Sequence, residues 1–206
     1  MCIRDRAEQV EKLVKVYKNT KVDAQMLKDA DVDAVILAIG SSPITIKLEG
    51  MDKLQHASAP EVLRHEVCPK GKVAVIGGGL VGLETADTLA TDGCDVTVLE
   101  MKDEIGSDLG SLRKIAVMMK LQQMQVKMLP NSKVCKFTEE GIVLEDETLV
   151  PCNCAVFAVG FASNDSHLLV EECEKRQIPC RVIGDAKSAR RALDAIAEGF
   201  EAARTL

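Results

Sequence analysis

The feature that most constrains the fold of this chain is a glycine-rich run that fits the pattern G-x-G-x-x-G. It consists of six consecutive residues: Gly77, Gly78, Gly79, Leu80, Val81 and Gly82. The run follows an apolar stretch, Lys72–Ile76, and opens a stretch ending at Thr91 that we predict to be helical. Gly77 permits a tight turn, and Gly82 lets a helix pack closely on a strand. The pattern therefore predicts a buried strand, a glycine turn and a helix, in that order.

An acidic residue, Glu100, ends the next predicted strand, Asp95–Glu100, eighteen residues after Gly82. In a Rossmann-type unit, an acid about 20 residues after the last glycine binds the ribose hydroxyls of a dinucleotide, and the pyrophosphate lies on the helix N-terminus. Glu100 would repel a 2′-phosphate, which favours NADH over NADPH, and Lys102 weakens that preference. The spacing therefore predicts an NAD(H) site, with NADP(H) less favoured.

Three further residues belong to the predicted NAD(H) site. Gly79 lacks a side chain, so the pyrophosphate can approach its backbone. Glu84 lies on the first turns of the predicted helix, where its charge either complements the helix dipole or points toward the nicotinamide. Met101 directly follows Glu100. A glycine turn with a purely structural role, beside a solvated strand end, is the alternative interpretation of the same pattern.

Beyond the glycine run, three predicted strands end in glycine-containing turns. The strands are Asp33–Ile39, Asn153–Val159 and Arg181–Ile183. The turn residues that we include among the candidate cofactor contacts are Ala38, Ile39, Gly40, Val159, Gly160, Gly184 and Asp185. Apolar strands that alternate with helices predict an α/β fold with a parallel sheet.

Two amphipathic helices are predicted near the ends of the chain. The first is Glu8–Lys18, with apolar residues on one face at Val10, Leu13, Val14 and Tyr17. The second is the last helix, whose apolar face is formed by Leu193, Ile196, Ala197 and Phe200. From Gln125 onward the apolar spacing predicts short strands instead. We regard residues 1–6 as non-native and leave them out of the fold prediction.

Charge and composition exclude several classes of protein. The net charge is −6 and the aromatic content is 2%, whereas nucleic-acid-binding proteins carry clustered positive charge or aromatic platforms. The chain contains no run of about 18 apolar residues, so we predict no membrane span. Its eight cysteines lack the spacing of metal sites or redox pairs, which predicts reduced thiols, no bound metal and a cytoplasmic protein. No Ser/His/Asp set is present, so no catalytic side chain is predicted.

The order of these motifs resembles that of the flavoprotein pyridine-nucleotide oxidoreductases, and within them the NADH:flavin oxidoreductases related to 2,4-dienoyl-CoA reductase and 2-enoate reductases. The resemblance implies a Rossmann-like NAD(H)-binding domain, residues 70–160, inserted into a Rossmann-like FAD-binding domain formed by residues 7–69 and 161–206. It implies that Gly40 and Gly160 lie at the two crossovers between these domains. It also implies that Gly184 and Asp185 contact FAD.

The chain departs from that family in its FAD-binding part. It contains a single G-x-G-x-x-G run, and no glycine precedes Asp33, so the ADP half of FAD lacks its usual cradle. Members of the reductase type also carry an FMN barrel of about 250 residues and an iron–sulfur cluster ahead of this region. We therefore expect an incomplete FAD-binding domain that belongs to a longer parent enzyme, with the missing N-terminal FMN and iron–sulfur region as its partner. Exposed sheet edges and apolar surface in that domain predict self-association.

The sequence thus predicts the NADH-binding module of an FAD-dependent oxidoreductase. Such a module passes hydride from NADH to FAD for the reduction of an unsaturated or other acceptor. The alternative is a nucleotide-binding or sensing module without turnover. A third hypothesis is a dehydrogenase that acts directly on a small substrate, but the roughly 45 residues after Gly160 are too few for a substrate domain.

Overall fold

The computed structural model describes residues 3–206, so Met1 and Cys2 of the segment left out above lie outside the described residues. The helices of the described part are α1 (Ile3–Leu13), α2 (Ala24–Asp29), α3 (Ala59–Leu63), α4 (Leu80–Thr91), α5 (Ser111–Gln123), α6 (His167–Lys175) and α7 (Ala192–Thr205). The strands are β1 (Val35–Leu37), β2 (Ser41–Pro43), β3 (Gln55–Ser58), β4 (Lys72–Ile76), β5 (Asp95–Leu99), β6 (Lys127–Leu129), β7 (Val134–Thr138), β8 (Gly141–Leu144), β9 (Leu149–Pro151), β10 (Cys154–Phe157), β11 (Phe161–Ser163) and β12 (Cys180–Val182).

The chain folds into two compact units. The central unit comprises Ser41–Ala162, and the flanking unit comprises residues 3–40 together with Ser163–Leu206. The sequence predicted a first boundary at residues 69 and 70, whereas the observed division lies at residues 40 and 41. The reason is that β3 pairs with β10 in the sheet of the central unit, with Gln55 opposite Cys154. The assignment of the two units to NAD(H) and FAD stays a prediction.

The central unit is built on a five-stranded parallel sheet with the strand order β3-β10-β4-β5-β6. Strand β4 lies in its middle, and its residues from Val73 to Ile76 are buried because both faces of the sheet are covered. The register of β4 with β5 places Ile76 opposite Leu99. Both strands therefore end at the same edge of the sheet, where the glycine run begins.

Two layers cover this sheet on opposite faces. On one face, Val75 packs with Leu83 of α4 and Leu121 of α5 in one hydrophobic cluster. On the other face, Ile76 packs with Phe137 in a second cluster, which includes the antiparallel sheet β7-β8-β9. Successive residues of β4 serve opposite layers because side chains alternate along a strand. The predicted α/β fold with a parallel sheet is confirmed.

The short strands predicted after Gln125 are also present. Strands β7 and β8 form an antiparallel pair in which Phe137 lies opposite Ile142. These two side chains are only 1% and 0% exposed. The short strands after Gln125 thus begin with β6, at the edge of the parallel sheet, and continue into the antiparallel sheet β7-β8-β9 that covers it.

The flanking unit contains a two-stranded parallel sheet, in which β1 pairs with β12 from Val35 opposite Cys180 onward. Helix α2 packs against α6. At this contact the Arg176 guanidinium donates to the carbonyl oxygen of Leu27 and, at 2.8 Å, to that of Ala30. Because the last carbonyls of a helix lack partners within the helix, this cation stabilises the end of α2.

Helix α1 ends at Leu13, so the predicted helix Glu8–Lys18 is wrong in its second half. Val10 and Leu13 are 50% and 81% exposed, which shows that no surface among the described residues covers the apolar face. Short helices owe most of their stability to the burial of such a face. Without it, the apolar spacing alone does not extend the helix to Tyr17.

The apolar face predicted for the last helix is present on α7, but it too is exposed. Leu193, Ile196 and Phe200 are 76%, 55% and 70% exposed. Few residues of the flanking unit are buried, among them Leu37, Cys173 and Ala202. The flanking unit therefore has a much smaller core than the central unit.

No helix in the part of the chain that the structure describes has both the length and the apolar character needed to cross a membrane.

We expect the exposed face of α7 to drive self-association. The double substitution Leu193→Gln and Phe200→Gln should lower the apparent mass at high concentration, measured by size-exclusion chromatography with light scattering. Because both side chains are exposed, the free energy of unfolding should change by less than about 0.5 kcal/mol per site. The control Glu201→Gln, on the same helix, should leave the apparent mass unchanged. Equal masses for the wild type and the double variant would contradict the prediction.

Candidate dinucleotide site

The site begins at the turn between β4 and α4, where the backbone conformation requires glycine. Gly77 has a φ of +110°, a conformation that residues with a side chain rarely adopt. A Cβ atom on Gly77 would lie 2.4 Å from the carbonyl oxygen of Ala158. The Gly77 N–H donates to the carbonyl oxygen of Leu99 at 2.8 Å. The turn is thus held against the ends of both neighbouring strands, β10 and β5.

Gly82 lies on the first turn of α4, directly beside this strand end. A Cβ atom there would lie only 1.9 Å from the carbonyl oxygen of Gly77. The sequence places Gly78 among the candidate cofactor contacts, and the structure shows why this position is a glycine. A Cβ atom on Gly78 would lie 2.9 Å from the Cβ of Glu100 and 3.2 Å from Cγ1 of Ile105. The glycine turn therefore leaves no room for side chains on its inner side.

Glu100 follows β5 and turns back onto the glycine run. Its Oε2 accepts the N–H of Gly78 at 2.7 Å, and its Oε1 accepts the N–H of Lys102 at 2.9 Å. The residue is only 9% exposed. The parallel register of β4 and β5 brings these groups together, because it ends both strands at one edge of the sheet. The predicted acid thus lies in direct contact with the predicted glycine turn.

A loop from Met101 to Gly110 closes over this turn. Ile105 is buried in the helix-side cluster at 6% exposure. The N–H of Gly106 donates to the carbonyl oxygen of Gly78 at 2.7 Å. These two contacts fix the middle of the loop against the start of α4.

The same loop brings an acid that sequence reasoning missed, Asp108, to the start of α4. Its two carboxylate oxygens accept the N–H of Leu80 at 3.1 and 2.9 Å. The residue before the helix is Gly79, which has no side chain to cap the first free N–H groups. A glycine in the capping position was therefore the available signal that an acceptor must come from elsewhere in the chain.

The remaining residues of the predicted NAD(H) site lie on the outside of the central unit. Glu84 forms an ion pair with Arg113 of α5 at 2.7 Å, and both side chains are about half exposed. Its carboxylate is thus engaged across the two helices. Met101 is 67% exposed. Leu80 and Val81 open α4, and both are half-buried.

The candidate residues around Gly40 belong to the flanking unit. Gly40 has a φ of +75°, and nothing lies within 4 Å of a Cβ built on it. Ala38 and Ile39 before it are exposed. Asn164 holds this turn through two hydrogen bonds. Its side-chain amide donates to the carbonyl oxygen of Ile39 at 2.8 Å, and its backbone N–H donates to the carbonyl oxygen of Gly40 at 3.0 Å. The turn therefore has open space beside it.

The candidate residues Val159 and Gly160 lie at the end of β10 in the central unit. Val159 packs against the second hydrophobic cluster. Gly160 has a φ of +103°, and its carbonyl oxygen accepts the N–H of Ile44 at 3.0 Å. Val159 thus anchors the segment after β10 in the core, and Gly160 bonds this segment to Ile44.

Gly184 and Asp185 form a turn of the flanking unit that Glu198 of α7 holds in place. The Glu198 carboxylate accepts the N–H of Gly184 at 2.7 Å and pairs with Arg190 at 2.6 Å. The hydrogen bond from Arg190, together with that from Gly184, lowers the pKa of Glu198 to about 2. The carbonyl oxygen of Asp185 accepts the Ser163 hydroxyl at 2.7 Å. Sequence reasoning did not identify Glu198, because its partner lies fourteen residues away.

Two thiols of the central unit, those of Cys152 and Cys154, are buried and protonated near neutral pH. Burial raises the pKa of Cys152 and of Cys154 to about 11. A thiol with a raised pKa is a poor nucleophile, since the thiolate is the reactive form. Among residues 3–206, no group of three or more His, Cys, Asp or Glu side chains is arranged to hold a metal ion.

The central unit fits the dinucleotide that the sequence predicts. Gly79 carries no side chain, and the N–H of Leu80 points out of the helix start toward the Asp108 carboxylate, an acceptor of the same charge sign as a pyrophosphate. Each carboxylate oxygen of Glu100 accepts one N–H and keeps the capacity to accept another hydrogen bond. Two neighbouring ribose hydroxyls match that remaining capacity.

The flanking unit fits only one part of FAD. The Gly184-Asp185 turn offers a carboxylate, and the open space at Gly40 leaves room beside its backbone. Strand β1 is preceded by helices α1 and α2, and the described part of this unit contains no G-x-G-x-x-G run between a strand and a helix. The described residues therefore include partners for the flavin side of FAD. They include no glycine-rich turn that would bind its ADP side.

Comparison with known proteins places these features in context. The sequence profile of the family described as pyridine nucleotide-disulphide oxidoreductase matches residues 3–185. Bilirubin reductase from Mediterraneibacter gnavus is 36% identical over 191 residues, which are 89% of this chain and 29% of that protein. Cinnamate reductase from Clostridium sporogenes is 34% identical over 201 residues, which are 94% of this chain and 29% of that protein.

The solved structures give the same result. A 2-naphthoyl-CoA reductase in complex with 2-naphthoyl-CoA has a TM-score of 0.86 at 25% identity, and the match covers 99% of this chain and 32% of the reductase. The chain thus spans less than a third of the length of these three relatives. The predicted resemblance to flavoprotein oxidoreductases of the enoate reductase type is confirmed.

We expect Gly82→Ala to damage the glycine turn. The added methyl group would collide with the carbonyl oxygen of Gly77, which should lower the free energy of unfolding by about 1–3 kcal/mol. Urea denaturation measures the change. The control Gly110→Ala should alter stability by less than about 0.5 kcal/mol, because Gly110 has a negative φ and open space around its Cβ position. Equal stability of the two variants would refute the close approach.

Proposed function

Because the chain belongs to the pyridine nucleotide-disulphide oxidoreductase family, we propose that it binds NADH and forms the NADH-oxidising part of a flavin-dependent reductase. Membership of this family indicates a pyridine nucleotide and FAD as cofactors. The proposal goes further in choosing NADH and in assigning the central unit to it. FAD is assigned to the flanking unit.

One observation carries the choice of the nucleotide site. Glu100 is buried against the glycine turn and bonded to Gly78, with acceptor capacity left for two hydroxyl groups. The adenosine ribose of NADH has two such hydroxyls. A 2′-phosphate in their place would bring negative charge against a buried carboxylate. The site therefore favours NADH over NADPH.

The residues of this chain contribute binding and orientation. Glu100 would hold the ribose, and the start of α4 would hold the pyrophosphate. In the flanking unit, Asp185 would bind FAD, with its turn positioned by Glu198. When bound, the two cofactors supply the redox chemistry, which is the transfer of hydride from NADH to FAD. No side chain of this chain is needed as an acid or base for that transfer.

A longer parent protein would explain why the flanking unit has exposed apolar faces and a small sheet. Its apolar faces at Leu13 and Phe200 are exposed, and β1 pairs with a single neighbouring strand among the described residues. The bilirubin reductase and the cinnamate reductase are more than three times as long as this chain. We propose that a preceding region, with FMN and an iron–sulfur cluster, covers these surfaces and passes the electrons to an unsaturated acceptor. The relatives are named for the reduction of bilirubin and of cinnamate, which supports this class of acceptor.

We expect Glu100→Gln to weaken NADH binding about tenfold, because hydrogen bonds to a charged acceptor contribute roughly 1.5–3 kcal/mol. The ratio of the NADPH to the NADH dissociation constant should also be smaller in the variant than in the wild type, since the charge that repels the 2′-phosphate is removed. NADH fluorescence titration at constant salt gives both dissociation constants.

The control for this experiment is Glu145→Gln, which removes the same charge from an exposed ion pair with Lys133. It should leave both dissociation constants unchanged. If Glu100→Gln and Glu145→Gln behave alike, Glu100 does not bind the ribose. If the wild-type chain does not bind NADH, the proposed function fails.

The incomplete FAD site predicts that the chain by itself retains well under one flavin. After incubation with excess FAD and desalting, a visible absorption spectrum measures the retained flavin, before and after anaerobic addition of NADH. NAD⁺ is the control, because it carries no hydride. A stoichiometric flavin band that bleaches with NADH and not with NAD⁺ would contradict the incomplete site and show a self-sufficient reductase.

A further inference from the structure

The start of α4 is already bonded to an acid of the same chain. Both carboxylate oxygens of Asp108 accept the N–H of Leu80, at 3.1 and 2.9 Å. Oδ2 of Asp108 also lies 3.1 Å from the position that a Cβ atom on Gly79 would occupy. The carboxylate therefore fills the space beside Gly79 and uses the first N–H of the helix.

These are the two features that a dinucleotide pyrophosphate needs in a Rossmann-type unit. The second glycine of the G-x-G-x-x-G pattern, here Gly79, lacks a side chain, so the pyrophosphate can approach the backbone. The first N–H groups of the helix bind the pyrophosphate oxygens. A carboxylate has the same charge sign and the same kind of acceptor atoms as a phosphate. Asp108 and the pyrophosphate thus require the same position.

The backbone of the loop fixes Asp108 there, whereas its side chain is free to turn away. Ile105 is anchored in the core, and the N–H of Gly106 is bonded to the carbonyl oxygen of Gly78 at 2.7 Å. Asp108 itself is exposed. A rotation of its side chain into solvent would clear the helix start without moving the loop.

We propose that Asp108 competes with the pyrophosphate of the nucleotide for the start of α4, and so sets the affinity of the site. This inference rests on the proposed NADH-binding function and adds an affinity-determining residue to it. Binding exchanges the bond between Asp108 and Leu80 for bonds to phosphate oxygens. The carboxylate also stays near the bound pyrophosphate, and the two negative charges repel each other.

The test is the variant Asp108→Asn in the full 206-residue chain. Asparagine retains an oxygen that can cap the helix, but it loses the charge. Dissociation constants are measured for ADP-ribose, which carries the pyrophosphate, and for adenosine, which lacks it. The ADP-ribose constant should fall about threefold to tenfold, and the adenosine constant should stay the same.

Two further variants complete the experiment. Asp103→Asn removes a charge from an exposed acid of the same loop, and at about 0.15 M salt, where the screening length is about 8 Å, it should leave both constants unchanged. Asp108→Ser provides a second uncharged capping side chain should the asparagine variant be poorly folded by circular dichroism. It should tighten ADP-ribose binding in the same way.

The outcomes separate this proposal from the proposed function. If the wild type binds ADP-ribose and neither variant at position 108 tightens it, the competition by Asp108 is overturned while the nucleotide site stands. A variant that tightens adenosine equally would also overturn it, because adenosine does not reach the start of α4. If neither the wild type nor the Asp108 variants bind ADP-ribose, the nucleotide site itself is refuted.

Discussion

The central unit depends on the close approach between the first turn of α4 and the end of β4. The gap between Gly82 and the carbonyl oxygen of Gly77 would hold no Cβ atom, and a Cβ atom on Gly77 would likewise collide with the backbone at Ala158. Three backbone segments thus meet without intervening side chains. This contact orients the positive end of the α4 dipole toward the edge where the parallel strands end. The position of the glycine loop follows from this contact, and the parallel register of β4 and β5 brings Glu100 to the same edge.

Negative charge collects at that helix end from two parts of the chain. Glu100 bonds to the glycine turn and Asp108 to the first N–H of α4. Both carboxylates satisfy donors that would otherwise lack a protein partner. A nucleotide that binds here must replace these hydrogen bonds with its own. Its affinity therefore depends on the difference in free energy between the two sets of hydrogen bonds. Hydrogen bonds within the protein stabilise the ligand-free site, and they lower its affinity for the ligand that must displace them.

The two units differ in how much of their apolar surface they bury. In the central unit, a parallel sheet lies between helices and an antiparallel sheet, and Val75 and Ile142 are fully buried. In the flanking unit, the apolar faces of α1 and α7 remain exposed at Leu13 and Phe200. The same kind of apolar pattern thus gave a core in one unit and an open surface in the other. A helix face becomes a core only where a second layer covers it.

The sequence by itself determined the strand, turn and helix from Lys72 to Thr91 and the acid at Glu100. Apolar spacing, glycine positions and the distance to the next strand end are all local properties, and local properties can be recognised in one stretch of chain. Only the tertiary structure decided that Asp108 caps α4, that Glu198 holds the Gly184 turn, and that residues 41–69 join the central unit. Each of these depends on which distant segments meet, and no spacing along the chain encodes that meeting.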